Sequence, residues 1–357
     1  MKMIFRWFGT GHDTIPLSYI RQIPGVEGVV TSLLSKAAGE VWETDEIAGM
    51  HKTVTDSGLK LEVIESVNIH EDIKLGLPSR DLYIENYIKT MERLSKIGIK
   101  VICYNFMPVL DWARSNLYHD LGDGSNTMFF NADFIKTTTP KALADKYAAD
   151  SGGIALPGWE PERLKKIEAT IEQYSTMTQE QYFANAKYFL DAIIPHAEKL
   201  DIKMAIHPDD PPFSIFSLPR MINSRENIEK FLSLNKSRHN GLTLCTGSIG
   251  ANCDNDTPAI IREFSDRIHF AHIRNLKFTE GGSFYESAHP TACGSLDMYA
   301  IVKAFHDSKF EGYARPDHGR MIWDEKGRPG YGLYDRALGI TYLLGLWEAL
   351  ERNQRNH

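Results

Sequence analysis

Four side chains with the chemistry of metal ligands close four successive apolar runs in the second half of the sequence. His207 ends IKMAIH and opens HPDD, Cys245 lies in LTLCTGS, His272 in FAHIRN and Asp317 in RPDHGR. The gaps between them are each close to one strand-plus-helix repeat, so on a barrel of such repeats all four would converge above the axis. Two imidazoles, a thiolate and a carboxylate together suit a borderline divalent ion such as Mn²⁺, Fe²⁺, Co²⁺ or Zn²⁺. They suit the all-oxygen chemistry of Ca²⁺ or Mg²⁺ less well. One strand-end His or Cys is most often a packed structural residue, but core packing does not generate four at one level of consecutive strands. His269 provides a control: it lies three residues before His272, an odd spacing reverses the face of a strand, and it reads as structural.

Beside Asp317 stand Arg315, His318 and Arg320, a density of charge that a barrel wall does not carry. His318 is a candidate general acid or base because an imidazole titrates near neutrality. Arg315 or Arg320 would suit a substrate carboxylate through paired hydrogen bonds. In GRPGYGLYDRALG, Tyr331 and Tyr334 flank a Gly-rich turn that can fold over the site, and either phenol could transfer a proton. Position alone adds a substrate shell. It comprises Arg6, Trp7, His12 and Asp13 after the first run, Asn105, Asp111, Trp112 and Arg114 after the fourth, and Arg274 two residues past His272.

The elements that must hold these residues are legible as apolar runs rich in β-branched and aromatic residues, each followed by a polar break and a helical period. Eight such runs span 3–8, 28–32, 59–64, 99–106, 202–207, 242–246, 268–273 and 312–316. Helical periodicity falls on 45–57, 80–96, 179–200, 225–234 and 296–306, and Thr178 with Gln181 forms a capping box before the third of these. Eight alternating units predict an α/β fold, a (β/α)8 TIM barrel forming one catalytic domain over 1–357. A doubly wound open sheet competes less well, because no Gly-rich phosphate loop follows the first run. Between Phe106 and Thr178 the regularity breaks for roughly seventy residues, far beyond an ordinary connection. The segment 107–178 is therefore expected to be an inserted lid or subdomain, with GGIALPGWEP as a turn inside it.

The whole chain narrows the class further. It has 357 residues, 42% hydrophobic and 24% charged, with a formal net charge of −7, which gives no electrostatic reason to expect nucleic acid or an anionic membrane as partner. No apolar stretch approaches the roughly 18 residues of a membrane span, and the N-terminal run is broken by Arg6. Four irregularly spaced cysteines are too few for a disulfide framework in a chain of this length, so a cytoplasmic location is expected.

MIFRWFG, YNFMPVLDWAR, HPDDPP, LCTGS, FAHIRN, RPDHGR and GYGLYDRALG together make the chain resemble the mannonate dehydratases of hexuronate (glucuronate) breakdown, which are xylose-isomerase-like barrels. The likeness covers essentially the whole chain. It implies a hydro-lyase that converts D-mannonate to 2-dehydro-3-deoxy-D-gluconate. It further implies one Mn²⁺ or Fe²⁺ ion on residues matching His207, Cys245, His272 and Asp317, and catalytic roles for His318 and for a tyrosine placed at Tyr331, with Tyr334 open. Arg315 is expected beside them at the catalytic centre. A small sugar acid is the expected ligand, and a homo-oligomer, such as a dimer, the expected assembly. Two rivals share the architecture: a metal-dependent sugar isomerase, whose sites are built mainly of carboxylates around two ions, and a metal-dependent endonuclease, which would need a basic groove.

Overall fold

The computed structural model describes residues 1–150 and 167–355. The expected turn GGIALPGWEP and that part of the 107–178 insertion lie outside the described residues. Twelve strands, numbered in chain order, form two sheets among the described residues. Eight of them close a parallel barrel: β1 (Lys2–Arg6), β2 (Val26–Thr31), β3 (Lys60–Glu65), β4 (Val101–Tyr104), β7 (Lys203–Ile206), β8 (Asn240–Cys245), β9 (Ile268–Ile273) and β12 (Tyr313–Pro316). Their order around the ring is β1-β12-β9-β8-β7-β4-β3-β2, so each of the eight apolar runs supplies one staff.

Alternation along these strands decides what fills the barrel and what crowns it. Ile4, Val30, Val63, Val101, Cys103, Ala205, Phe270 and Tyr313 pack together as an apolar plug. Two residues beyond Ile4, Val63, Ala205, Phe270 and Tyr313 come Arg6, Glu65, His207, His272 and Arg315. A period of two therefore stacks polar groups directly on the plug at the C-terminal mouth. Register keeps them level, with Cys245 paired to His272 and His272 to Arg315. His269, of opposite parity to His272, instead packs against the backbone of Gly241, where an added Cβ would collide with its ring.

Helices wrap the outside. Gln179–Leu200 buries Tyr182, Phe183, Ala186, Phe189, Leu190, Ile193, Ile194 and Ala197 along one face. Its start is the expected box, since Thr178 Oγ1 accepts from Gln181 N at 3.2 Å and Gln181 Oε1 accepts from Thr178 N at 2.9 Å. The last expected helix runs from Met298 to Asp307 rather than from Leu296, because the Asp297 carboxylate caps it by accepting from Ala300 N.

The second sheet was not anticipated. From the insertion come β5 (Asn116–Asp120) and β6 (Asn126–Phe130), and from the segment after β9 come β10 (Leu276–Phe278) and β11 (Phe284–Glu286). They pair antiparallel in the order β10-β11-β6-β5, with Phe284 opposite Phe130 and Tyr285 opposite Phe129. The Phe130 and Phe284 rings stack at 5.2 Å, so two distant loops fold as one cap over the mouth. Replacing the helix cap, Thr178→Ala, is expected to lower unfolding free energy by about 1 kcal/mol. Chemical denaturation measures this, and a change within error would mean that the box contributes nothing.

Candidate active site

At the barrel mouth the strand ends bring His207, Cys245, His272 and Asp317 together, with one ligand atom of each within 4.8 Å of all the others. His207 Nε2 and His272 Nδ1 face each other at 3.1 Å, and Cys245 Sγ lies 3.3 Å from Asp317 Oδ2. Behind the cluster, His207 Nδ1 lies 2.7 Å from the Pro208 carbonyl, and His272 Nε2, which makes no hydrogen bond among the described residues, lies 3.4 Å from Glu65 Oε2. Ser248 donates to Cys245 Sγ from its hydroxyl at 3.1 Å and its backbone at 3.4 Å. Inward-facing soft and borderline donors, each oriented by an outer partner, fit one transition-metal ion.

Next to this cluster, His318 Nε2 lies 2.8 Å from the Tyr331 hydroxyl, while His318 Nδ1 lies 3.5 Å from Glu286 Oε1. Phe8 holds the tyrosine ring edge-on at 4.8 Å, and Trp112 meets the imidazole edge at 6.4 Å. Burial, followed by the nearby Asp317 charge, pushes the Tyr331 phenol above its ordinary range. The phenol therefore keeps its proton at neutral pH.

Behind both lies a buried ion network. Arg114 grips Asp210 through paired bonds of 2.7 and 2.9 Å and reaches Glu286 Oε1 at 2.7 Å. Arg274 bonds Glu286, Asp210 Oδ2 at 3.1 Å and Asp317 Oδ2 at 2.8 Å. Arg315 joins Asp317 Oδ1 to Glu65 Oε1, both at 2.8 Å. Burial by itself would raise the Glu65 carboxyl, but the Arg315 charge and then His272 hold it well below the usual carboxylate range. Burial likewise opposes ionisation of Asp317, and His318 and Arg315 overcome it. Arg274 and then Arg114 do the same for Glu286.

One cavity opens onto these groups. Its walls include Arg6, Asn105, Trp112, His207, Arg315, Asp317, His318 and Tyr331. Other expected residues are elsewhere. Arg274 is fully buried and committed to carboxylates behind the wall. Arg320 pairs with Asp335 at 2.7 Å, and Tyr334 is exposed against Trp323. Trp7 donates to the Ile15 carbonyl at 3.2 Å and, with His12, lines an adjoining hollow. Arg114 is a buried strut, and Asp13 folds its own loop by accepting from Phe8 N and Ile15 N. Sequence reasoning passed over Glu65, Asp210 and Glu286. Glu65 ends the third strand, so the strand-end criterion that found the ligands would have found it, and Asp210 stands openly in HPDD. Glu286 belongs to a three-residue strand and gave no signal.

Comparison with known proteins identifies the family. The family described as D-mannonate dehydratase (UxuA) matches residues 1–357. A mannonate dehydratase of Thermotoga neapolitana is 57% identical, covering 100% of both chains, and mannonate dehydratase 1 of Bacillus licheniformis is 53% identical, covering 99% of this chain and 97% of its own. The crystal structure of mannonate dehydratase from Streptococcus suis serotype 2 superposes with a TM-score of 0.89 at 43% identity, over 99% of this chain and 96% of that one. A D-psicose 3-epimerase, at 12% identity and a TM-score of 0.57 over 97% of this chain and 99% of its own, shares the barrel alone. With a family match over every residue and full-length relatives above half identity, the chain belongs to the mannonate dehydratase family.

Proposed function

We propose that this hydro-lyase, which converts D-mannonate to 2-dehydro-3-deoxy-D-gluconate, works at the His207, Cys245, His272 and Asp317 cluster with His318 and Tyr331 as its proton-transfer pair. The observation that carries the reading is that one cavity is bordered both by ligands from this cluster and by a His–Tyr pair 2.8 Å apart. The four residues would hold one Mn²⁺ or Fe²⁺ ion. When bound, it supplies Lewis acidity toward the substrate's carboxylate and neighbouring hydroxyl.

The chain's own groups account for the proton movements. Dehydration takes the proton from C2, forms the C2–C3 double bond from that electron pair, and expels the C3 hydroxyl with a proton as water. Glu286 can accept from His318 Nδ1–H, which leaves the lone pair on Nε2 and makes His318 the base. Tyr331, held protonated by burial, donates to the leaving hydroxyl. The resulting enol then tautomerises to the 2-keto acid. Arg315 spends its donors on Glu65 and Asp317, so it positions the cluster and is not free for a substrate carboxylate. Arg6 is the better partner, since it lines the cavity and, among the described residues, its guanidinium makes only a 3.5 Å bond, to the Val30 carbonyl.

A two-ion isomerase fits less well. The other cluster that could bind a metal among the described residues is Glu65, Cys103 and His272. There Glu65 is paired to Arg315, and burial pushes the Cys103 thiol well up and against ionisation. No helix among the described residues is long and apolar enough to cross a membrane. All four cysteines are free, which suits a reducing cytoplasm, and a homodimer is the simplest assembly for such an enzyme.

Protein loaded with Mn²⁺ or Fe²⁺ is expected to form a 2-keto-3-deoxy acid from D-mannonate and to lose that activity on chelation. Absence of product with both ions would overturn the assignment. His318→Asn and Tyr331→Phe should each lower kcat by about a hundredfold to ten-thousandfold with bound metal unchanged, and near-normal turnover in both would remove the pair from the mechanism. Cys245→Ser should weaken metal affinity by at least about tenfold. Unchanged metal content by elemental analysis would exclude the thiolate as a ligand.

A further inference from the structure

The segments that follow three consecutive strands on the far side of the mouth carry neutral polar residues. Ser32 follows β2, Ser66 and Asn68 follow β3, and Asn105 follows β4, and all four line the same cavity as His207, Asp317 and His318. In the ring order, β3 stands diametrically across from β9, which carries His272. The groups on the metal-competent side are committed to partners inside the protein, as the Arg315, Asp317 and His318 contacts show. These four are not. Among the described residues none of their side chains makes a hydrogen bond within the chain, although Ser32 is buried and the other three are partly so.

Polar side chains that border a cavity without internal partners carry an unmet demand for hydrogen bonds, which water or a ligand must meet. None of the four is charged, and each both donates and accepts, which matches a sugar hydroxyl better than an acceptor-only carboxylate or phosphate. The reactive end of a hexonate, C1 to C3, belongs with the metal-competent cluster, Arg6 and the His318–Tyr331 pair. Its remaining hydroxyls, on C4, C5 and C6, have no role in the chemistry and must be accommodated elsewhere in the same cavity.

We propose that Ser32, Ser66, Asn68 and Asn105 form a hydroxyl-reading wall for the C4–C6 tail of the substrate, with Asn68 and Ser66 as its principal specificity determinants. This rests on the mannonate reading of the site and adds how the enzyme distinguishes a six-carbon acid from a shorter one. Wall groups left unpaired by a truncated acid would count against it, which gives discrimination stronger than the lost contact alone. The tail hydroxyls bind alike in the ground state and the transition state unless they also fix the C2–C3 geometry, so part of the effect belongs in KM.

The test compares D-mannonate with a 2,3,4-trihydroxybutanoate of the same C2 and C3 configuration, each as substrate or, where turnover is too slow, as competitive inhibitor of mannonate dehydration. Wild type and Ser66→Ala/Asn68→Ala are loaded with the same metal. The double variant is expected to lower the preference for the six-carbon acid by roughly tenfold or more, with metal content and melting temperature within error of wild type. A proportional loss on both acids, or no loss on either, would overturn the wall. If the wild type handles D-mannonate no better than the short acid, the wall fails while the dehydratase reading stands. If the wild type processes neither acid, the dehydratase reading itself fails.

Discussion

Two fully buried guanidinium groups, those of Arg114 and Arg274, hold the active site in one piece. Arg114 comes from the loop after β4, Asp210 from the loop after β7, Arg274 from the end of β9 and Glu286 from the cap strand β11. Their mutual bonds join the barrel to its cap through charges that have left water. Removing one member would strand its partners uncompensated, at a cost of about 3–5 kcal/mol, whereas the intact set satisfies nearly every donor it contains. Such networks do little for net stability compared with apolar packing of equal volume. Their value here is positional: Arg274 reaches Asp317 directly, and Glu286 stands behind His318.

That linkage explains why the cap consists of two loops rather than one. A lid built wholly from the insertion after β4 would bring Arg114 to Asp210 but would leave its second carboxylate partner out. Pairing β6 with β11 delivers Glu286. The stacked Phe130 and Phe284 rings then tie the two cap strands to each other. The Arg114 guanidinium lies 5.0 Å from the Phe284 ring, so the aromatic layer and the ionic layer are also in contact.

The sequence made the barrel legible because each of its eight strands is a dense apolar run, and period-two alternation then fixes which strand-end residues face the axis. The metal-competent cluster followed from that rule alone, as did the structural place of His269. Arginines defeated the same logic. Arg274 and Arg320 have the residue type and location of substrate ligands, but their fate depends on which carboxylates fold against them, Glu286 and Asp210 for one and Asp335 for the other. Those partners are distant in sequence or lie in strands too short to show a period. The resemblance places the tyrosine at Tyr331, but residue type and spacing leave Tyr334 open. The turn ending at Gly330, with φ of 74°, delivers Tyr331 inward, and Tyr334 lies in the first turn of the following helix, Leu333–Arg355, on its exposed side.

The two sides of the mouth therefore answer to different constraints. On the β7, β8, β9 and β12 side Asp210, Arg274, Arg315 and Asp317 are paired within the protein, and a reaction that moves protons needs groups fixed before substrate arrives. Arg6, whose guanidinium makes one long bond among the described residues, lines the same cavity, and a substrate carboxylate would give it a charged partner. On the β2, β3 and β4 side Glu65 is paired to Arg315, but the side chains of Ser32, Ser66, Asn68 and Asn105 are neutral and make no hydrogen bond among the described residues, which is tolerable only because they face a cavity and not a packed core. A site arranged this way spends its preorganisation on the carbons that react and leaves recognition of the rest to hydrogen bonds that form only when the ligand is present.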